Sequence, residues 1–182
     1  MRLINTGLCR VAALAWLAAL AACGGSGPAG VTTAPCPRIS ILADGADLTR
    51  FRPGGPRDLS AMAVDARITG FQAQCDFASA RRLDVRVTPE FAVERGPAAT
   101  GRTVDLPWFL AVSTAEEEVL DRTTSSTRVT FPQNVGRAGA VGPTVRFTMP
   151  IGEGVRAQDY LVRIAFQLDA DELAYNRTRG PR

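Results

Sequence analysis

The feature that most restricts the fold of this chain is an alternation of apolar and polar residues with a period of two, which sets in after Cys36. In its clearest instance Val162, Ile164, Phe166 and Leu168 fall on one side, and Arg163 and Gln167 on the other. A helix would repeat its apolar residues at three and four; a half-buried strand repeats them at two, because successive side chains leave opposite faces of the pleat. The same pattern sets Met62, Val64, Ala66 and Ile68 against Asp65, Arg67 and Thr69, in a strand that bulges at Gly70 and continues to Cys75. It recurs at Leu83, Val85 and Val87, resumes past Pro89 at Phe91 and Val93, and returns at Val145, Phe147 and Met149. Pro89 lacks a donor, so it is expected to bend its strand or put it at an edge.

Shorter signals complete the set. Ile39 and Ile41 start a first strand that Ala43-Asp44-Gly45 ends, and a proline-rich loop runs through Phe51 to Pro56. Val104, Leu106, Trp108, Leu110 and Val112 keep one parity while Phe109 and Ala111 make the other face apolar too, the mark of a sheet centre. After Glu116-Glu117-Glu118 a polar stretch regains strand character at Val129 and Phe131. Glycines and prolines between Asn134 and Pro143 predict a mobile loop, and Gly152-Glu153-Gly154 a hairpin turn. Only Asp169 with Glu172 three residues on, ahead of Leu173, Ala174 and Tyr175, resembles a helix start, through a capping box.

About seven antiparallel strands with a short C-terminal helical turn predict an all-β fold, an immunoglobulin-like β-sandwich. A closed lipocalin-like β-barrel is the alternative.

Ahead of this body, Arg2 and Arg10 precede an uncharged apolar run from Val11 to Ala22. That is the layout of a secretory signal peptide, and the run is too short for the roughly 20 residues a spanning helix needs. It closes on Leu20-Ala21-Ala22-Cys23, which resembles the lipobox of bacterial lipoproteins. The resemblance covers residues 1–23. It implies cleavage between Ala22 and Cys23, a diacylglycerol on the Cys23 thiol, and stable membrane anchoring through two or three acyl chains. Gly24, standing where an Asp commonly retains such proteins at the inner membrane, implies the periplasmic face of the outer membrane. Residues 24–35, GGSGPAGVTTAP, are too polar and glycine-rich to bury a core and read as a tether spanning about 20 Å. The expected layout is a signal peptide over 1–22, lipidated cysteine and tether over 23–35, a sandwich over 36–176, and a frayed C-terminus over 177–182.

With Cys9 in the leader and Cys23 taken by lipid, Cys36 and Cys75 are left, and two thiols in an oxidising compartment are expected to pair. Closing a loop of about 40 residues contributes roughly 4 kcal/mol in the chain-entropy model. A two-cysteine metal site has neither a histidine partner nor C-x-x-C spacing.

Composition narrows the chemistry. Of 21 basic and 18 acidic residues the leader takes two basic ones, leaving a nearly neutral mature chain with no clustered positive charge for nucleic acid. Every basic residue is Arg; there is no Lys and no His. The commonest general base, any Schiff-base amine and the commonest zinc ligand are thus missing. Asp65 and Asp84 fall on outward strand faces rather than forming an acid/base pair. Asp44 with Asp47, and Asp169, Asp171 and Glu172, are oxygen donors without the spacing of a calcium loop. Gly152-Glu153-Gly154 lacks the Lys and helix of a phosphate loop, Trp108 reads as a core anchor, and Asn176-Arg177-Thr178 matches the N-glycosylation acceptor only by chance in such a protein.

No catalytic residue, cofactor or metal is therefore expected. The sequence points to a lipid-anchored, non-enzymatic binding or assembly module for envelope proteins, with contacts at sheet edges and at the loop from Val135 to Val141. The alternative is a carrier of a small molecule or lipid in a barrel interior.

Overall fold

The computed structural model describes residues 35–180 and 182. The signal peptide, Leu20 to Cys23 with the Ala22–Cys23 cleavage site, and the tether up to residue 34 lie outside the described residues. The body is made of β1 (Arg38–Ile41), β2 (Asp47–Phe51), β3 (Met62–Ser79), β4 (Arg82–Arg95), β5 (Thr103–Thr114), β6 (Val119–Thr130), β7 (Arg137–Val141), β8 (Val145–Pro150), β9 (Tyr160–Phe166) and the helix α1 (Ala170–Arg179).

Among the described residues the strands form two sheets and no closed barrel. The first has the order β1-β9-β5-β6; the second runs β2-β3-β4, with β7 and β8 sharing the far side of β4. Because alternate residues of each strand point inward, the two inner faces meet in one core: Leu48, Ile68, Val85 and Phe91 from the second sheet against Leu106, Trp108, Ile164 and Phe166 from the first. Trp108 is fully buried, as expected of a core anchor, and its indole Nε1 donates to Thr127 Oγ1 at 3.0 Å, so that the ring's one polar atom is satisfied. β5 has neighbours on both sides, the position its two apolar faces predicted.

Cys36 and Cys75 form a disulfide with Cα atoms 5.4 Å apart. It ties the residues just before β1, in one sheet, to β3 in the other.

Several details differ from the expected plan. The sandwich is not wholly antiparallel, because β1 runs parallel to β9. Among the described residues there are nine strands rather than about seven. β2 was hidden by Asp47 and Arg50, charges that only a distant partner makes tolerable in a strand. The loop expected from Asn134 to Pro143 contains β7, whose Ala138 and Ala140 pack on the core and whose Arg137 pairs with Glu94 across to β4. Gly152-Glu153-Gly154 is a tight turn, closed by a Gly152–Val155 bridge, but it carries the chain between sheets rather than joining a hairpin.

Pro89 does not mark an edge. β8 pairs with β4 as far as Val87 and β7 takes over from Glu90, so the proline sits at the changeover. Its carbonyl accepts from Gly142 N–H at 2.9 Å, which means its missing N–H also faces this gap, where no ladder acceptor is lost. Gly142 has to be small there: a Cβ would lie 2.9 Å from Pro89 Cγ and 3.0 Å from the Phe91 ring. The bulge in β3 is where Gly70 placed it, as the register shifts between Ile68 and Gly70.

The capping box forms as read, with Glu172 N–H donating to Asp169 Oδ1 at 2.7 Å and Asp169 N–H to Glu172 Oε2 at 2.9 Å. Against the frayed end expected over 177–182, residues 177–179 form the last turn of α1. The helix continues through Arg179, and Arg177, Arg179 and Arg182 all pair with carboxylates of the sandwich.

Candidate functional site

The surface best suited to a partner is the outer edge of β6. Among the described residues no strand pairs with that side. Phe131 N–H donates to Arg102 C=O at 2.7 Å, and bonding along an antiparallel strand alternates, so Val129, Thr127, Ser125 and Thr123 bond towards β5. Arg122, Thr124, Ser126, Arg128 and Thr130 therefore turn their N–H and C=O groups outward. Apart from Arg122 N–H, which donates to Asp121 Oδ1 at 2.8 Å, that is a row of donors and acceptors with no strand partner along a twelve-residue strand.

Proteins usually blunt such an edge with proline, a bulge or charges that project from it. β6 contains no proline, and its one register irregularity lies at the start, opposite Val112 and Ser113. Its two arginines are turned back over the sheet, and its one acid, Asp121, accepts from the Arg122 N–H at the leading end. Arg122 lies over the Phe109 ring at 4.1 Å and donates to Gln167, and Arg128 makes a bidentate pair with Asp105 on β5. That bond from Arg128 holds the Asp105 carboxyl below its usual range. Between them Thr123-Thr124-Ser125-Ser126-Thr127 carries no charge. At the leading end Val119 and Leu120 are 63% and 50% exposed, next to the acidic turn in which Glu117 adopts a positive φ of 68° and pairs with Arg163.

The residues singled out in the sequence do not converge on a second site. Asp65 on β3 accepts from Thr49 Oγ1, while Asp84 on β4 accepts from Thr148 Oγ1; each is held separately, and they form no carboxylate pair. Asp44 pairs with Arg177, and Asp47, only 4% exposed, is ringed by Arg67, Arg179 and Arg182. Asp169 and Glu172 cap α1, and Asp171 pairs with Arg57. Among the described residues no group of three or more Cys, Asp and Glu side chains is placed to hold a metal ion. Asn176 of the glycosylation-like triplet is buried, its side chain engaged with the main chain of residues 44 and 47. The Val135–Val141 segment is a strand paired to β4, with exposed valines at its two ends. An open apolar groove of about 480 Å³ lies between α1 and the first sheet, floored by Phe109, Leu168 and Leu173.

Sequence reading missed the β6 edge because its outward residues are hydroxylic rather than apolar. The usable signal was the run of Thr, whose β-branched side chain favours strands. The ring around Asp47 left no local signal at all, since its arginines come from β3 and from the end of the chain. No protein family, curated protein or solved structure matches this chain.

Proposed function

We propose that the chain is an outer-membrane lipoprotein, anchored through Cys23 and facing the periplasm. On this reading its sandwich is a non-enzymatic binding or assembly module that takes an extended segment of an envelope protein as an added strand on β6. The observation that carries the binding mode is the open, uncharged run from Thr123 to Thr127, where main-chain bonds supply affinity as in other strand-addition modules. The anchor rests on the lipobox resemblance of Leu20 to Cys23 alone. Carriage inside a barrel finds no closed barrel among the described residues; a small ligand could use an open surface groove such as the one beside Phe109.

An immunoglobulin-like description is supported by the buried Trp108 and by a disulfide bridging the sheets. The β2-β3-β4 meander within one sheet departs from the strand order of that group.

The test is Ser126→Pro. It deletes an outward N–H without touching the β5 ladder, a change that edge strands tolerate. Partners captured from solubilised envelope by the lipidated parent should be lost from the variant, while its melting temperature stays close to the parent's. Equal capture by both would remove β6 as the contact. Labelled palmitate that enters Cys23→Ser as readily as the parent would remove the anchor.

A further inference from the structure

A second edge is finished in the opposite way. Ala46 C=O accepts from Ile68 N–H at 2.9 Å, so alternation directs the backbone groups of Leu48 and Arg50 towards β3 and those of Asp47, Thr49 and Phe51 to the free side of β2. Helix α1 covers that side. Asn176 Nδ2 donates to the carbonyls of Asp47 at 2.7 Å and Asp44 at 2.9 Å, giving a strand edge the partner it lacks.

Little apolar surface holds the helix in place. Leu173 and Tyr175 are half-buried, the latter edge-on to Phe51 at 5.1 Å, and the helix's buried residue is the polar Asn176. The rest of the attachment is ionic. Arg50–Glu172 (2.9 Å) and Arg57–Asp171 (3.3 Å) fix its start, and Arg177–Asp44 (3.0 Å) its last turn. Arg179 and Arg182 then reach both Asp47 and Asp65, with the Arg182–Asp65 pair closing to 2.6 Å. The fit is incomplete, since Asn176 Oδ1 and Arg179 Nε are buried without hydrogen-bond partners. An element joined by ion pairs and few apolar contacts opens at a lower free energy than the core it covers, and salt weakens its exposed pairs most.

We propose that α1 and Arg182 form a detachable cover on the edge of β2, latched by the arginines around Asp47 and opening while the sandwich stays folded. Opening bares the outward backbone groups of Asp47, Thr49 and Phe51. The cover is independent of what β6 binds.

Residue-resolved hydrogen exchange on the full chain tests this. Amides from Leu173 to Arg179 should exchange about tenfold faster at about 1 M than at about 0.05 M sodium chloride, where screening lengths differ severalfold, while those of β4 and β5 hold their rates. Arg179→Gln with Arg182→Gln should reproduce the change at low salt. Arg57→Gln, which breaks only a surface pair, should move the same amides less. If the helix amides keep pace with β4 and β5 in every condition, or if neither salt nor the arginine variants quicken them, the cover is a fixed part of the fold and the proposal fails.

Discussion

β2 and β6 are both strands with one side unpaired by any other strand, yet the molecule treats them differently. The five-residue edge of β2 is sealed by a helix, a buried asparagine and a ring of charges. The twelve-residue edge of β6 is left bare among the described residues, with Arg122 and Arg128 folded away over the sheet. The longer edge is the greater liability for unwanted pairing. Sealing the shorter one shows that edge protection is within the chain's means, and that contrast is what the strand-addition proposal for β6 draws on.

The contrast can be broken or sharpened by experiment. Removing the disulfide through paired Cys36→Ser and Cys75→Ser should cost about 4 kcal/mol of stability in urea unfolding, and should loosen both edges alike because the bond spans the two sheets. An intact β2 edge beside a loosened β6 would show that the sheets are not coupled through it. Next in size, Asp47→Ala strips a buried carboxylate from three arginines and should cost about 2–3 kcal/mol, below the usual 3–5 for a fully buried pair because the guanidiniums keep some access to water. On the open edge, Asp105→Ala should lower the urea midpoint at neutral pH far less, because its pair with Arg128 is exposed to water. If the two variants cost the same, charge does not distinguish the edges.

The smallest effect is in acid. Asp105, Asp159 and Asp58 are held below the usual carboxylate value of 3.8, respectively by bonds from Arg128, Arg156 and the Ser60 hydroxyl. A depressed carboxyl contributes its stability in full above its unfolded value and loses it as pH falls through the folded one. Urea midpoints should therefore be level from about pH 8 to 5 and decline below about pH 4. A decline already complete by pH 5 would mean that other groups govern the acid limb.

How much of this was legible beforehand follows from where each signal resides. Strands buried on one face advertise themselves through parity: β3, β4, β5, β8 and β9 were each readable, as was the bulge at Gly70. The capping box of α1 is a four-residue signal and survived intact. β2 and β7 were not readable, because one carries charges neutralised from across the molecule and the other has small residues between glycines. The path of α1 after its cap was equally hidden. Arg177, Arg179 and Arg182 look like a solvated tail until Asp44, Asp47 and Asp65 are brought beside them. The open edge of β6 is a property of sheet order, which no local window contains.

The position of the disulfide has a mechanical consequence. β1 has only four residues and is held to β9 by a short parallel ladder, so tension entering from the N-terminal side would unzip it first. Cys36 precedes β1, and its bond to Cys75 diverts that load into the second half of an eighteen-residue strand. A pull applied at Cys36 is thus taken up by the long β3–β4 ribbon, and the four-residue β1 is spared from peeling.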